Sequence, residues 1–251
     1  MGDRPGDPAD VSSAPRAMSA LDLCRATYLK MRRDLRQRGL EERAIRRTCE
    51  DLSELKDGRW FLHPKAYDPT GLALGCPLPD RRYVTLVTRL ASLADAWVTR
   101  RTGSEQPSIS YVPPERYHIT VVNRSHYRFT EVTSLDAEEY SRIKPFVSQL
   151  GLGAIEVIAC GMLLTSSGAL LVKCVPADER LLALRCSLSE EFPMLRTNVP
   201  PAAHIKIGHL RTRLAADGLV AFEAWLKHLE EHVTRRIVFT DLHSPQGRVP
   251  L

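Results

Sequence analysis

Beyond residue 70, short apolar runs alternate with longer segments whose apolar residues recur every three or four positions. The runs are typical of strands, and the longer segments are typical of amphipathic helices. In order, the pattern predicts strand, helix, strand, strand, helix, hairpin, helix, strand, helix and strand. Because several neighbouring strands are separated only by turns, the pattern predicts an α+β fold with a mixed or largely antiparallel sheet, rather than a doubly wound parallel one.

Turn residues define several of these elements more closely. The runs AIEVIACGMLLT and ALLVKCV flank a Ser-Ser-Gly turn and predict a hairpin. The segments SISYV and RYHITVVN, separated by Pro113 and Pro114, predict a pair of strands. Ser134 is the expected N-cap of the helix that follows, and RRIVFTDLHSPQG is the expected closing strand.

The first 70 residues have a different character. Residues 1–17 are rich in Pro, Asp, Gly and Ser, which predicts a disordered leader. From Ser19 to about Leu55 the spacing predicts two helices divided near Gly39, and residues 57–70 are expected to be an irregular linker. The predicted organisation is a leader (1–17), a helical extension with its linker (18–70) and a main domain (71–251).

The predicted N-terminal helices carry a dense set of arginines. Such a run is more typical of a solvated helix face, with nucleic-acid contact and docking of a partner as the alternatives. The arginines are Arg32, Arg33, Arg36, Arg38, Arg43, Arg46 and Arg47.

Composition adds modest constraints. A formal charge of +5 over 251 residues, with a pI near 9.0, suits an anionic partner such as RNA or a nucleotide. The sequence has no run of about 18 apolar residues, and its start lacks the apolar core of a secretory signal. None of the six cysteines forms a C-x-x-C pair, so we expect reduced thiols and a cytoplasmic protein. The glycine-rich loops that bind ATP or NAD are absent from the sequence, and we expect no cofactor.

Two similar triplets stand out on predicted strands. YHITVV places His118 and Thr120 two residues apart, and AHIKIGHL places His204 and Lys206 in the same way. Residues i and i+2 of a strand face the same side, so each histidine projects together with a hydrogen-bond donor. A single H-x-T arises often by chance, and a lone strand histidine is usually structural. Two triplets in matching contexts favour a shared site.

Paired imidazoles suit phosphoryl transfer. Opening a 2′,3′-cyclic phosphate, or making or breaking a 2′–5′ linkage, needs one group that accepts a proton and another that donates one. Imidazole titrates near neutrality and can do either. The Thr120 hydroxyl and the Lys206 ammonium would hold the non-bridging oxygens, and the scheme requires no metal.

These features resemble the two-histidine (2H) phosphoesterase superfamily, which includes bacterial RNA 2′,3′-cyclic phosphodiesterases, historically named 2′–5′ RNA ligases. The resemblance covers about residues 71–251, and its most specific stretch is SYVPPERYHITVV. It implies two lobes of mixed sheet flanked by helices around a central groove. It also implies that His118 and His204 carry the proton transfers and that Thr120 binds phosphate. The substrate would be RNA or a small nucleotide with a cyclic phosphate or a 2′–5′ linkage.

The second triplet departs from the family pattern, in which Thr or Ser usually occupies the place of Lys206. We favour an active phosphodiesterase because Lys can stabilise an oxyanion and both histidines are present. The alternative is a non-catalytic RNA- or nucleotide-binding module with a degenerate second motif.

The remaining histidines are weaker candidates. Strand alternation would place His209 on the face opposite His204, in a structural role. His228 and His232 have helical i, i+4 spacing without the H-E-x-x-H pattern and are expected to be exposed. The sequence assigns no role to His243. Tyr117 is expected in the core, and two pairs beyond the first triplet could reach a nucleotide or simply form a loop: Asn123 with Arg124, and His126 with Tyr127.

Overall fold

The computed structural model describes residues 19–124, 134–196 and 202–251, so the predicted leader lies outside the described residues. The helices are α1 (Ala20–Arg38), α2 (Glu42–Asp51), α3 (Arg81–Thr102), α4 (Ala137–Leu150), α5 (Arg180–Glu191), α6 (Ala216–His228) and α7 (Glu230–Val233). The strands are β1 (Ser53–Lys56), β2 (Arg59–Leu62), β3 (Leu72–Leu74), β4 (Ile109–Tyr111), β5 (Ile119–Arg124), β6 (Ile155–Leu164), β7 (Ala169–Pro176), β8 (Leu195–Arg196), β9 (Ala203–Leu210), β10 (Arg235–Phe239), β11 (Asp241–Ser244) and β12 (Gly247–Pro250).

The predicted α+β class is confirmed, and β9 is the strand on which the sheet is organised. One edge of β9 pairs with β7, which leads to β6 and β10. The other edge pairs with two strands in succession: β5 near its start and β4 at its end. From β4 the sheet continues to β2 and β1, and from β5 to β3, β11 and β12. Two sets of strands therefore meet where β5 touches β9.

Some local predictions hold and others are wrong. The β6–β7 hairpin is as predicted. However, β4 and β5 are not hydrogen-bonded to each other, because both lie along β9. Residues 59–62 of the expected linker form a strand that pairs with β1 and β4. The expected closing strand is three strands, β10 to β12. The N-cap of α4 is Asp136, which forms a capping box with Glu139, not Ser134.

One face of the sheet is the main core. A row of fully buried apolar residues crosses five strands on this face: Leu242, Leu74, Ile119, Ile205 and Val172. Apolar side chains of α3 and α5 belong to the same core cluster, and each helix packs against one of the central strands. Burial of this face stabilises the sheet and leaves the opposite face to carry polar groups.

The N-terminal helix α1 packs against that opposite face. Cys24 and Tyr28 are buried with Leu163 and Ala202 in a second apolar cluster. The Tyr28 hydroxyl lies 2.8 Å from the carbonyl oxygen of Cys174 and also contacts the carbonyl of Ala203, the residue before His204. The helical extension is thus part of the packed domain rather than an appendage. No helix among the described residues is both long and apolar enough to cross a membrane.

A buried arginine ties the two sets of strands together. Arg185 of α5 is 5% exposed, and its guanidinium donates to the carbonyls of Val121 (3.1 Å), Thr120 (2.7 Å) and Ala202 (3.2 Å). The first two carbonyls belong to β5, and the third immediately precedes β9. One side chain therefore fixes the relative position of the two strands that carry the histidine triplets.

We expect Arg185→Ala to lower the free energy of unfolding by about 3 kcal/mol, because three buried carbonyls lose a charged donor. Urea denaturation measures the change. Arg100→Ala is the matched control, because Arg100 is exposed on α3; its effect should stay within about 0.5 kcal/mol. Equal losses for the two variants would contradict the role given to Arg185.

Candidate active site

The register between β5 and β9 brings the two triplets together. Ile119 pairs with Ile205 in an antiparallel arrangement, and both point into the core. Their neighbours face the other side, so His118 lies opposite Lys206 and Thr120 lies opposite His204. Directly opposed residues have Cβ atoms about 5 Å apart. The four predicted site residues therefore form one compact patch.

His118 has a defined hydrogen-bond arrangement. It is 8% exposed, and its Nδ1 lies 2.9 Å from the backbone carbonyl of Arg116. A carbonyl can only accept, so Nδ1 carries the hydrogen and Nε2 is left for a ligand. Burial is the largest effect on His118 and leaves its pKa below the usual value. The Arg116 carbonyl and the Asp68 carboxylate oppose that shift, and the positive charges of Arg116 and His243 add to it.

His204 has the contrary electrostatic environment. Burial, followed by the positive charge of Arg185 and the nearby His118 and Lys206, lowers the pKa of His204 to about 4. Its Nδ1 is buried and has no hydrogen-bond partner among the described residues. In this environment the His204 imidazole is neutral at physiological pH.

Lys206 is held by the N-terminal part of the chain. Its Nζ donates to the backbone carbonyl of Ala66 at 3.0 Å. Burial lowers the pKa of Lys206 to about 8, so the ammonium is still the main form at neutral pH. Thr120, by contrast, is partly exposed at the same patch.

A short turn before β3 supplies further contacts to this patch. Asp68 binds the Arg116 guanidinium through two contacts, Nε to Oδ1 at 3.1 Å and Nη2 to Oδ2 at 2.6 Å. Arg116 in turn offers its carbonyl to His118. Residues 66–68 thus position Lys206 directly and His118 through Arg116. These contacts join residues distant in sequence and leave no motif by which they could be predicted.

The patch extends across the sheet as a transverse row. Reading from β11 to β7, the paired residues are His243, Ala73, Thr120, His204 and Lys173. Paired residues share a face, so a third histidine and a second lysine accompany the predicted pair. In the sequence, Lys173 stands out as the one charged residue of the apolar strand β7. Its position opposite His204 depends on the pairing of β7 with β9 and cannot be read from the sequence.

Lys173 is already neutralised by an acidic partner. Its Nζ lies 2.6 Å from Oε1 of Glu230 on α7, which also binds Arg32 of α1 at 3.1 Å. The charges of Lys173 and Arg32 therefore serve to join α1, β7 and α7 beside His204. Of the N-terminal arginines, Arg36 is likewise paired, with Glu223 at 2.9 Å.

The predicted orientation of His209 is wrong because β9 contains a bulge. Leu171 pairs with Lys206 but Leu170 pairs with Gly208, so Ile207 is an extra residue and alternation shifts by one. His209 therefore returns to the face of Lys206, where its Nε2 lies 3.4 Å from the Thr48 hydroxyl of α2. Its Nδ1 lies 2.9 Å from the Leu210 carbonyl, which agrees with the structural role expected for it.

The other candidate residues near the triplets and on the helices have structural or exposed positions. Tyr117 is buried in the core as predicted, and His228 and His232 are exposed on their helices. The Asn123 side chain accepts from the Thr70 hydroxyl at 3.4 Å, and Arg124 pairs with Glu139 at 2.6 Å.

Two of the candidates, His126 and Tyr127, lie outside the described residues. Within residues 19–124, 134–196 and 202–251, no three His, Cys, Asp or Glu side chains are grouped closely enough to hold a metal ion.

Comparison with known proteins gives matches among solved structures. No family model matches the sequence, and no curated protein does. The structure of Usb1 from Kluyveromyces marxianus matches with a TM-score of 0.45 and 12% identity, covering 72% of this chain and 96% of that chain. The same protein with uridine monophosphate matches with a TM-score of 0.42 and 12% identity, covering 72% and 97%.

The electrostatics of His204 can be measured by NMR titration of the histidine ring nuclei, with His204→Gln identifying its resonance. We expect His204 to titrate near pH 4, and Lys206→Met to raise that pKa because it removes a nearby positive charge. Lys227→Met, on the exposed surface of α6, is the control and should leave it unchanged. Titration near the unperturbed value of about 6.5 would contradict this account of the site.

Proposed function

We propose that the protein is a metal-independent phosphodiesterase that opens a 2′,3′-cyclic phosphate, or cleaves a 2′–5′ linkage, in RNA or a small nucleotide. The observation that carries the proposal is the Ile119–Ile205 register, which gathers two imidazoles, a hydroxyl and an ammonium on one face. This set contains a base, an acid and donors for phosphate oxygens, which such a reaction needs.

The environments of the two histidines assign their roles. Burial lowers the pKa of His118, but the carbonyl on its Nδ1 and the Asp68 carboxylate partly oppose that shift and favour the imidazolium. At His204 burial lowers the pKa most, and the positive charges of Arg185 and Lys206 lower it further, so the neutral ring is favoured. A carboxylate beside one histidine and positive charges beside the other favour placing the proton on the first, which divides acid and base between them. His118 is therefore the general acid and His204 the general base.

Hydrolysis of a cyclic phosphate then proceeds in one displacement. His204 takes a proton from water as the water oxygen bonds to phosphorus. The bond from phosphorus to one ribose oxygen breaks, and His118 delivers its proton to that oxygen. The bound phosphate favours the protonated form of His118, because a negative charge within hydrogen-bond reach stabilises an imidazolium. Substrate binding therefore promotes protonation of His118, the general acid.

Lys206 and Thr120 act on the phosphate itself. The Thr120 hydroxyl donates one hydrogen bond, and the Lys206 ammonium adds a charge-assisted one where negative charge develops. The Ala66 carbonyl holds the ammonium in place before substrate arrives. A pre-positioned donor stabilises the transition state without the cost of reorganising it.

The first test incubates the protein with 2′,3′-cyclic nucleotides, 2′–5′ oligonucleotides and cyclic-phosphate-ended RNA, with products identified by mass spectrometry. We expect turnover that persists in EDTA, and a loss of about 10²–10⁴-fold in His118→Ala and in His204→Ala. His232→Ala is the matched control, because His232 is exposed on α7. A chelator-sensitive activity, or one that survives both substitutions, would overturn the proposal.

The second test uses the pH dependence of kcat/KM, which reports the free enzyme. Because the pKa of Lys206 is about 8, the ammonium is lost above that pH and kcat/KM should fall there. Lys206→Arg should keep its charge and move this alkaline limb upward, and Lys206→Met should be slower at neutral pH without the limb. A profile identical in all three proteins would remove Lys206 from the reaction.

Lys206→Thr separates this function from a binding module. Turnover that is reduced in the variant supports the catalytic role of Lys206. Turnover that appears only in the variant, from an inactive parent that binds nucleotide with strong salt dependence, would instead establish the non-catalytic RNA- or nucleotide-binding alternative.

A further inference from the structure

We propose that His243 and Arg248, on the β11–β12 hairpin, form a second phosphate subsite next to the catalytic patch, so that the enzyme prefers substrates with at least two nucleotides. The inference rests on the proposed function, because the first phosphate is the one at Thr120. It gives a role to a histidine that the sequence alone leaves unassigned.

The sheet register places this subsite. His243 pairs with Arg248 on one side and with Ala73 on the other, and Ala73 pairs with Thr120. All four residues consequently face the same side as the catalytic pair. Ala73 contributes only a methyl group and is fully buried. His243 and His118 are near enough to influence each other electrostatically.

The spacing fits a neighbouring group rather than the same phosphate. The strands β5 and β11 are separated by β3, so their backbones are about 10 Å apart. The imidazole of His243 and the guanidinium of Arg248 project from the far strand. A ligand held by them is therefore adjacent to the phosphate at Thr120 and distinct from it.

Arg248 and His243 both keep hydrogen-bonding capacity at this place, where the Asp241 carboxylate is an acceptor beside Arg248. The Asp68 carboxylate is already engaged by Arg116. Asp241 makes only a loose contact with Arg248, at 4.0 Å between Oδ2 and NH1, and the Arg248 side chain is 63% exposed. The His243 Nδ1 is buried without a hydrogen-bond partner among the described residues. Arginine and imidazole donors without committed acceptors suit the oxygens of a phosphate.

The charge state of His243 is consistent with this use. Burial lowers its pKa, and the positive charges of Arg116 and Arg248 lower it further, against the smaller effects of Asp241 and Asp68. The ring is therefore neutral at physiological pH and donates one hydrogen bond. Arg248 supplies the charge, and its surface position allows it to reach a chain that leaves the catalytic patch.

Isothermal titration calorimetry can compare two product-like ligands, a nucleoside 3′-phosphate and a dinucleotide ending in a 3′-phosphate. The parent protein should bind the dinucleotide about tenfold more tightly, as expected for one additional charge-assisted hydrogen bond. In Arg248→Ala and His243→Ala this advantage should fall to about twofold or less, with mononucleotide binding unchanged. His243→Asn and His243→Gln then identify which ring nitrogen donates, by which of them restores the advantage.

Arg100→Ala and His232→Ala, both at exposed helix positions, are the controls for loss of an arginine or a histidine. Equal affinity of the parent for both ligands would overturn the subsite, as would an equal weakening of both ligands in Arg248→Ala. Arg248 is exposed, so that variant remains informative if His243→Ala does not fold. A parent that shows the affinity difference but turns over no cyclic phosphate would refute the proposed function and leave the second phosphate site standing.

Discussion

The pairing of Ile119 with Ile205 is the contact on which the site depends. Among the described residues it is the only ladder pair between β5 and β9, and it joins the two sets of strands. Strand side chains alternate with a period of two, so a slip of one residue would turn either triplet into the core. Buried isoleucines resist that slip: if β9 shifted by one residue, Ile205 would be exposed, and His204 and Lys206 would turn into the core.

Because a single residue pair joins β5 to β9, other contacts are needed to hold the two strands in place, and they come from two parts of the chain. Arg185 holds β5 and the start of β9 from the core side through three carbonyls. On the other side, Tyr28 of α1 lies against the Cys174 and Ala203 carbonyls, and Lys206 is anchored to Ala66. The N-terminal extension therefore contributes directly to the geometry of the patch, and this gives residues 20–68 a physical role in the domain.

Sequence patterns predict the individual helices and strands, but they do not predict contacts that depend on how the strands pair with one another. Alternation identified β9 and the shared direction of His204 and Lys206, and the helices α3 and α5 follow from their periodicity. The orientation of His209 was mispredicted because the extra residue at Ile207 is visible only against β7. The position of His243 in the same row as Thr120 depends on two successive strand pairings, and the contact of Lys206 with Ala66 joins residues 140 positions apart. The orientation of His209, the position of His243 and the Lys206–Ala66 contact are therefore not encoded in any short stretch of the sequence.

The difference between the two histidines also comes from tertiary contacts rather than from the triplets. Both rings are buried, and burial alone would lower both pKa values. Asp68 and the Arg116 carbonyl partly oppose that effect at His118, whereas Arg185 and Lys206 add to it at His204. In the proposed reaction Lys206 thus has two effects: its ammonium binds a phosphate oxygen, and its charge adds to the burial that keeps the His204 imidazole neutral. A threonine at position 206 would supply a phosphate donor without that second effect, so the lysine strengthens the separation of acid and base that two otherwise similar strand triplets require.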